Sequence, residues 1–142
     1  MILEKEDIKK IIPHREPMLL VDRIESDPSD ENKCSGFYTV RGDEFFLQGH
    51  FPGNPVVPGV ILCEMMAQSS CLLLKERDVM TLFTSMNNVK FRGMVKPGDT
   101  IKFDVTLLRK NGMFYFAHSK GYVNEKMVVA ADLSFAAVKK EA

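Results

Sequence analysis

The segment from residue 58 to residue 75 constrains the fold more than any other, because its apolar side chains surround a helix on every side. Pro58 sits near the first helical position, where its missing N–H costs nothing. The apolar side chains of the segment lie on all faces: Val60, Ile61, Leu62, Met65, Met66, Leu72 and Leu73. A helix that is hydrophobic all round must be enclosed by other elements. The rest of the chain is therefore expected to wrap around it.

The remaining pattern supplies strands for that enclosure. A short amphipathic helix is predicted over 4–12, and strands are predicted over 18–26, 33–41, 80–92, 100–110, 113–123 and 127–138. In 100–110 the apolar residues alternate cleanly and share one face: Ile101, Phe103, Val105 and Leu107. Asn111–Gly112 predicts a type I′ hairpin turn.

These elements predict an α+β protein with an antiparallel sheet of about six strands wrapped around a long central helix. This is the hotdog arrangement. The 142 residues suit a single domain spanning 1–142. A sheet of this kind has open edges, which commonly pair with a second subunit.

Composition excludes some functions. Nineteen basic residues balance nineteen acidic ones, which argues against a nucleic-acid binder and favours self-association. The three cysteines, Cys34, Cys63 and Cys71, lack metal-like spacing and are expected to be reduced and buried. The charged amino terminus has no signal-peptide core, and no apolar run reaches the roughly 20 residues of a membrane span. We therefore expect a soluble cytoplasmic protein without membrane insertion.

Glu64 is the single carboxylate of the apolar helix. Ionised and unpaired there it would cost several kcal/mol, so we expect its pKa to rise and the group to hold its proton. A buried, protonated carboxylic acid can serve as a proton donor. Gln68, four residues further on, shares its helix face. The alternative is a structural carboxylate, satisfied by an arginine or a backbone cap.

His50 precedes a loop, "FPGNPVVPG", in which three prolines leave the backbone little freedom. A rigid loop can hold a general base in place, and a positioned His is the usual proton acceptor. The alternative is a His that packs or caps a turn. We assign that structural role to His14, in a turn before a strand, and to His118, on a strand face with Phe114 and Phe116.

The start of the helix supplies a third element. Unpaired amides there project positive potential, and Gly59 has no Cβ to keep a ligand away from its N–H. An enolate forming at that point would be stabilised. A base, an acid and an oxyanion donor are the groups needed to remove a proton α to a carbonyl while a β-substituent leaves. Elimination of water from a 3-hydroxyacyl compound is a reaction of this kind.

His50 and Glu64 need not be neighbours within one subunit. Eight extended residues reach up to about 26 Å, and six helical residues add roughly 9 Å. A two-fold dimer that brings the loop of one chain to the helix of the other would join them, and its isologous interface would hold two such sites.

The segment "GHFPGNPVVPGVILCEMMAQ" closely resembles the signature of the FabZ-type 3-hydroxyacyl-[acyl-carrier-protein] dehydratases of bacterial type II fatty-acid synthesis. "PHREPMLLVDRI" (13–24) and "NNVKFRGMVKPGD" (87–99) resemble the other two blocks of that family, in order and spacing. The resemblance implies a hotdog fold, a homodimer assembled as a trimer of dimers, and no cofactor. It implies dehydration of a (3R)-3-hydroxyacyl chain on an acyl-carrier protein to the trans-2-enoyl form.

The same resemblance implies the roles of individual residues. His50 and Glu64 match the catalytic pair, contributed by opposite subunits. Gly59 matches the position whose N–H binds the thioester carbonyl, and Gln68 matches a residue that orients the carboxylate. The expected substrate-binding residues are Gly59, Gln68, Phe51, Pro58 and Val60. Lys90, Arg92 and Lys96, near the expected mouth of the acyl tunnel, are the expected docking site for the acidic carrier.

The chain also departs from the family pattern in three places, one of which is the short segment between the helix and the third strand, Lys75 to Met80. "RGMV" (92–95) stands in place of Arg-x-Pro-Val, and Leu82 falls where some members carry a gating Tyr, so chain length and gating are left open. Glu64 in place of Asp favours a plain dehydratase over the dehydratase/isomerase branch, although some relatives with Glu also isomerise. Two further functions stay compatible with the residues: a hotdog acyl thioesterase, and a catalytically silent acyl-binding or scaffold subunit.

Overall fold

A computed structural model describes residues 1–139, and residues 140–142 lie outside this description. It contains seven strands, two α-helices and two short 3-10 turns. The elements in chain order are β1 (Ile2–Glu4), α1 (Lys5–Ile8), β2 (Arg23–Asp27), β3 (Asp30–Thr39), a 3-10 turn (Phe45–Leu47), α2 (Gly59–Ser69), a second 3-10 turn (Ser70–Leu73), β4 (Val79–Phe91), β5 (Thr100–Asn111), β6 (Phe114–Val123) and β7 (Lys126–Lys139).

All seven strands form one antiparallel sheet in the order β1-β2-β3-β5-β6-β7-β4. Helix α2 contacts β3, β5 and β7, so the sheet curves around it from both halves. The predicted α+β hotdog fold is confirmed, with one strand more than the six expected. The extra strand is β1, three residues that pair with β2.

The core lies between α2 and the concave face of the sheet. Ile101, Phe103, Val105 and Leu107 of β5 are all buried, as their alternation predicts. One buried cluster joins Leu62, Met65 and Met66 of α2 to the sheet, and a second lies beneath the 3-10 turn that follows α2. The three cysteines are free and buried, as expected.

The central helix is shorter and less enclosed than predicted. It ends at Ser69 and tightens into a 3-10 turn, whereas the sequence predicts helical character as far as residue 75. Ser69 and Ser70 donate their hydroxyls to helix carbonyls, and such local bonds weaken regular helix. At the other end Val60 is 70% exposed, so the prediction of enclosure on every face is wrong for the first turn.

The segment 18–26 forms a strand only in its second half, because β2 begins at Arg23. Gln68 of α2 occupies the backbone groups that the predicted strand would have used: its side chain accepts from the Leu20 amide and donates to the Met18 carbonyl. The predicted helix over 4–12 is also shorter, since α1 covers only Lys5–Ile8 before the chain turns.

The hairpin between β5 and β6 is not the predicted type I′ turn. Asn111 pairs with Phe114, so the turn residues are Gly112 and Met113, and only Gly112 has a positive φ, 62°. A positive φ at the first central residue alone is typical of type II′. The type I′ pattern occurs instead between β6 and β7, where Asn124 and Glu125 have φ values of 49° and 66°.

Within residues 1–139, no helix is long and apolar enough to cross a membrane.

Candidate active site

Helix α2 directs Glu64 toward two partners from its own chain. Gln68 Nε2 donates to Glu64 Oε2 at 2.8 Å, one helical turn away. His14 Nε2 lies 3.4 Å from the same oxygen. The Gln68 amide is fully used, since its oxygen accepts from the Leu20 amide and its nitrogen also donates to the Met18 carbonyl. The carboxylate is therefore tied to the segment that leads into β2.

These partners reverse the expected ionisation of Glu64. Burial raises the pKa of the carboxyl, but the interactions with His14 and Gln68 outweigh it and hold the pKa below its usual value. The prediction that Glu64 keeps its proton is wrong, because it assumes that the carboxylate has no donor nearby. At neutral pH Glu64 is ionised.

The two oxygens of Glu64 have different surroundings. Oε2 meets both Gln68 and His14, whereas Oε1 meets no hydrogen-bond donor among residues 1–139. The carboxylate lines a small cavity whose other lining residues are Ala67, Gln68, Thr81, Phe83 and Phe135. The side chain is 23% exposed. One oxygen is thus held in place while the other is free to bind a ligand.

The loop from 48 to 58 holds His50 in a defined orientation. His50 Nδ1 lies 2.9 Å from the Val56 carbonyl oxygen. A carbonyl oxygen only accepts, so in the neutral ring Nδ1 carries the proton and the lone pair is on Nε2, which has no hydrogen-bond partner among residues 1–139. The loop is itself anchored, because the Val57 amide donates to the Val95 carbonyl at 2.8 Å. His50 therefore has the tautomer that a general base requires.

The first turn of α2 borders a second cavity. Helix α2 begins at Gly59 after Pro58, and its first amides have no acceptor within the helix. A Cβ built on Gly59 would lie 2.7 Å from two ring atoms of Phe91, so a larger residue at this position would force the ring to move. The cavity has a volume of about 340 Å³ and is lined by Val56, Val57, Gly59, Val60, Leu62, Phe91, Gly93 and Met94.

Five of the other predicted site residues are exposed at the surface: Phe51, Val60, Lys90, Arg92 and Lys96. Phe51 is 58% exposed, and its ring lies against the His50 ring with centroids 4.3 Å apart. Val60 lines the larger cavity. Lys90, Arg92 and Lys96 lie at the surface, and none forms an ion pair with another residue of the described chain.

Within one protomer the structure brings some of these residues together and leaves others apart. Glu64 and Gln68 are in contact. His50 forms no hydrogen bond with Glu64 and lines neither cavity within residues 1–139. His118 contacts Asp132, at 2.7 Å.

Sequence reasoning misses two residues near the site. It assigns His14 to a turn, yet the imidazole lies beside Glu64. It treats Phe91 only as a strand residue, yet the ring covers Gly59. Both residues could have been found from their positions inside the segments 13–24 and 87–99, which resemble the dehydratase family. Periodicity alone cannot place a His in a loop against a helix fifty residues away.

The fold and site define a hotdog protein with a carboxylate on its central helix and a histidine on the loop before it. A model of the FabA-like domain family matches residues 12–132. The chain therefore belongs to the FabA-like family.

Named relatives match the chain over almost its whole length. The 3-hydroxyacyl-[acyl-carrier-protein] dehydratase FabZ of Halalkalibacterium halodurans is 40% identical over 139 residues, which are 95% of this chain and 99% of that protein. The protein of the same name from Oenococcus oeni is 41% identical over 133 residues, 91% of this chain and 95% of that protein.

Solved structures share the fold at lower identity. A chain of the dehydratase heterocomplex ApeI:P from Xenorhabdus doucetiae superposes with a TM-score of 0.78 at 20% identity, covering 94% of this chain and 91% of that one. At this identity the likeness supports the fold alone.

Proposed function

We propose that this protein is a hydro-lyase that converts (3R)-3-hydroxyacyl-[acyl-carrier-protein] to trans-2-enoyl-[acyl-carrier-protein] in type II fatty-acid synthesis. The observation that carries the proposal is the match of 95% of the chain to a dehydratase of that name at 40% identity. The site geometry supports the chemistry, because it combines the Nε2 nitrogen of His50, the ionised carboxylate of Glu64 and the unpaired backbone amides at the start of α2.

His50 is the proposed base. Its Nε2 lone pair takes a proton from C2 of the substrate, and the bond from Nδ1 to the Val56 carbonyl stabilises the imidazolium that forms. The amides at Gly59 stabilise the enolate oxygen of the thioester during this step. The thioester oxygen would approach the helix at Gly59, where an added Cβ would lie 2.7 Å from the Phe91 ring.

Glu64 is the proposed partner at C3. Its ionised carboxylate accepts a hydrogen bond from the C3 hydroxyl through Oε1, since Oε2 already meets Gln68 and His14. The C3–O bond breaks, and the proton taken by His50 passes to the departing oxygen to give water. Both side chains then regain their starting protonation states, so the reaction balances without an external acid. Gln68 orients the carboxylate throughout.

We further propose that His50 and Glu64 meet across a homodimer. Strand β4 is the last strand of the sheet, so its outer row of backbone groups is unpaired within the described chain. The exposed apolar side chains on or near this edge include Val60, Met80, Leu82, Phe83, Met86, Phe91 and Met94. A second copy of the chain would pair with the edge and cover these side chains. A trimer of such dimers is the proposed assembly, which native mass spectrometry would test.

The proposed carrier-docking surface consists of Lys90, Arg92 and Lys96. These cations lie in the segment that contributes Phe91 and Met94 to the cavity at the start of α2. An acidic carrier protein would be steered there, and its docking would weaken as salt rises. A cytoplasmic location is part of the same proposal, because the carrier-linked pathway is cytoplasmic.

The test is turnover of carrier-linked 3-hydroxyacyl chains of several lengths, with simple acyl thioesters as comparison substrates. We expect formation of the trans-2-enoyl product without release of free thiol. Release of thiol from both kinds of substrate, with no enoyl product, would establish a hotdog thioesterase instead and overturn the proposal. The position of the product double bond distinguishes a plain dehydratase from one that also isomerises.

A further inference from the structure

His14 belongs to the segment that Gln68 attaches to the central helix. The Arg15 guanidinium donates to the Ile12, His14 and Lys9 carbonyls, which fixes the backbone around His14. Gln68 anchors the chain a few residues later, at Met18 and Leu20. The imidazole is therefore held on both sides by structure that does not depend on Glu64.

The surroundings of the His14 ring favour one tautomer. Its Nδ1 is buried and has no hydrogen-bond partner among residues 1–139. A buried N–H at that nitrogen would lack an acceptor, so the surroundings favour the tautomer with the proton on Nε2. Nε2 is the nitrogen that lies 3.4 Å from Glu64 Oε2. The ring can thus present an N–H donor to the carboxylate from Nε2.

We propose that His14 is a positioning residue for Glu64, donating from Nε2 to Oε2 so that Oε1 stays directed at the substrate hydroxyl. This inference rests on the proposed dehydratase function. Contacts of this kind are often long without substrate and tighten in the reacting complex. Gln68 and the imidazole together hold Oε2 from two directions. With only one of these donors, the carboxylate would be free to rotate.

No other charged group of the described chain faces the carboxylate. The cavity beside it is lined from α2 by Ala67 and Gln68, from β4 by Thr81 and Phe83, and from β7 by Phe135, all of them uncharged. The proposed dimer would add the partner's His50. Loss of the His14 contact would therefore raise the Glu64 pKa toward its ordinary value and reduce the ionised fraction under acidic conditions.

The test compares His14→Gln with His14→Asn. The Gln amide nitrogen reaches about as far as Nε2 of a histidine, whereas the Asn amide nitrogen reaches only about as far as Nδ1. We expect H14N to lower kcat on the order of tenfold or more with little change in KM, and H14Q to stay within about threefold of the wild type. If H14N does not fold, His14→Phe, which keeps a ring without a donor, replaces it with the same expectation.

His118→Asn is the matched control, because His118 also contacts a carboxylate, that of Asp132. Circular dichroism melts verify folding for each variant. The acidic limb of the kcat profile should move to higher pH in H14N and stay in place in H14Q and H118N. Full activity of H14N, equal losses in H14N and H14Q, or an equal loss in H118N would overturn the inference.

The wild-type enzyme separates failure of this inference from failure of the proposed function. If the wild type forms no enoyl product, the dehydratase function itself is wrong. If the wild type is active and H14N matches it in kcat and in pH profile, only the positioning role is wrong.

Discussion

Replacing Gln68 by Met should destabilise the protein and impair Glu64 at the same time. The Gln68 side chain is 2% exposed and bonds three groups: the Leu20 amide at 2.7 Å, the Met18 carbonyl at 2.8 Å and Glu64 Oε2 at 2.8 Å. Met has nearly the same length and volume, so the change leaves no cavity and introduces little strain. What it removes is the hydrogen bonding.

The magnitude follows from the burial of each partner. The Leu20 amide is buried and would be left unpaired, which costs about 1–3 kcal/mol. The Met18 carbonyl and Glu64 are partly reached by water, so each loses about 0.5–1.5 kcal/mol. We therefore expect Q68M to lower the free energy of unfolding by roughly 2–6 kcal/mol, a large share of the 5–15 kcal/mol usual for a domain.

Urea denaturation at one fixed protein concentration measures this change, since subunit association contributes to apparent stability. Ser69→Ala is the matched control: Ser69 is also buried in α2, but its hydroxyl makes one local bond, to the Met65 carbonyl. S69A should cost about 1 kcal/mol. A Q68M variant within about 1 kcal/mol of the wild type, or no less stable than S69A, would refute the attachment of 18–20 to the helix through Gln68.

Two further changes test the turn at residues 41–44 and the start of the helix. Burial raises the pKa of Glu44, but donors from the Arg41 and Gly42 amides and the Tyr38 hydroxyl hold it below its usual value. The ionised Glu44 carboxylate stabilises the fold fully above its unfolded pKa of about 4.3, and this stabilisation is lost as the pH falls through the folded pKa. The difference in unfolding free energy between the wild type and Glu44→Gln should therefore shrink in acid. A difference that stays constant across this pH range in urea titrations would contradict the expectation. Gly59→Ala places a Cβ 2.7 Å from Phe91 ring atoms, and kcat/KM should fall on the order of tenfold as the ring turns into the cavity. Unchanged kcat/KM in G59A would show that the thioester does not approach there.

The sequence predicts the architecture well because the architecture depends on periodicity. The alternation in β5 fixes which face is buried, and the apolar helix requires a sheet that curves around it. The wrongly predicted boundaries depend on single side chains. Gln68 takes the backbone groups of 18–20, and the serines at 69 and 70 end the helix early.

The site is only partly readable from sequence for a related reason. A helix places Gln68 next to Glu64 by spacing alone, so this contact can be foreseen. The position of His14 depends on how a loop fifty residues earlier packs against the helix, and no local pattern encodes that. The sequence predicts the wrong ionisation state for Glu64 because that state depends on the same contact.

Mixing two inactive variants tests most directly whether His50 and Glu64 act across the dimer. H50A and E64Q are unfolded together, refolded as an equal mixture and compared with each variant alone, with differently tagged subunits to count mixed dimers. A mixed dimer would contain one intact site, with His50 from one chain and Glu64 from the other, so about a quarter of wild-type activity should return. Mixed dimers that form but stay inactive would contradict the shared site.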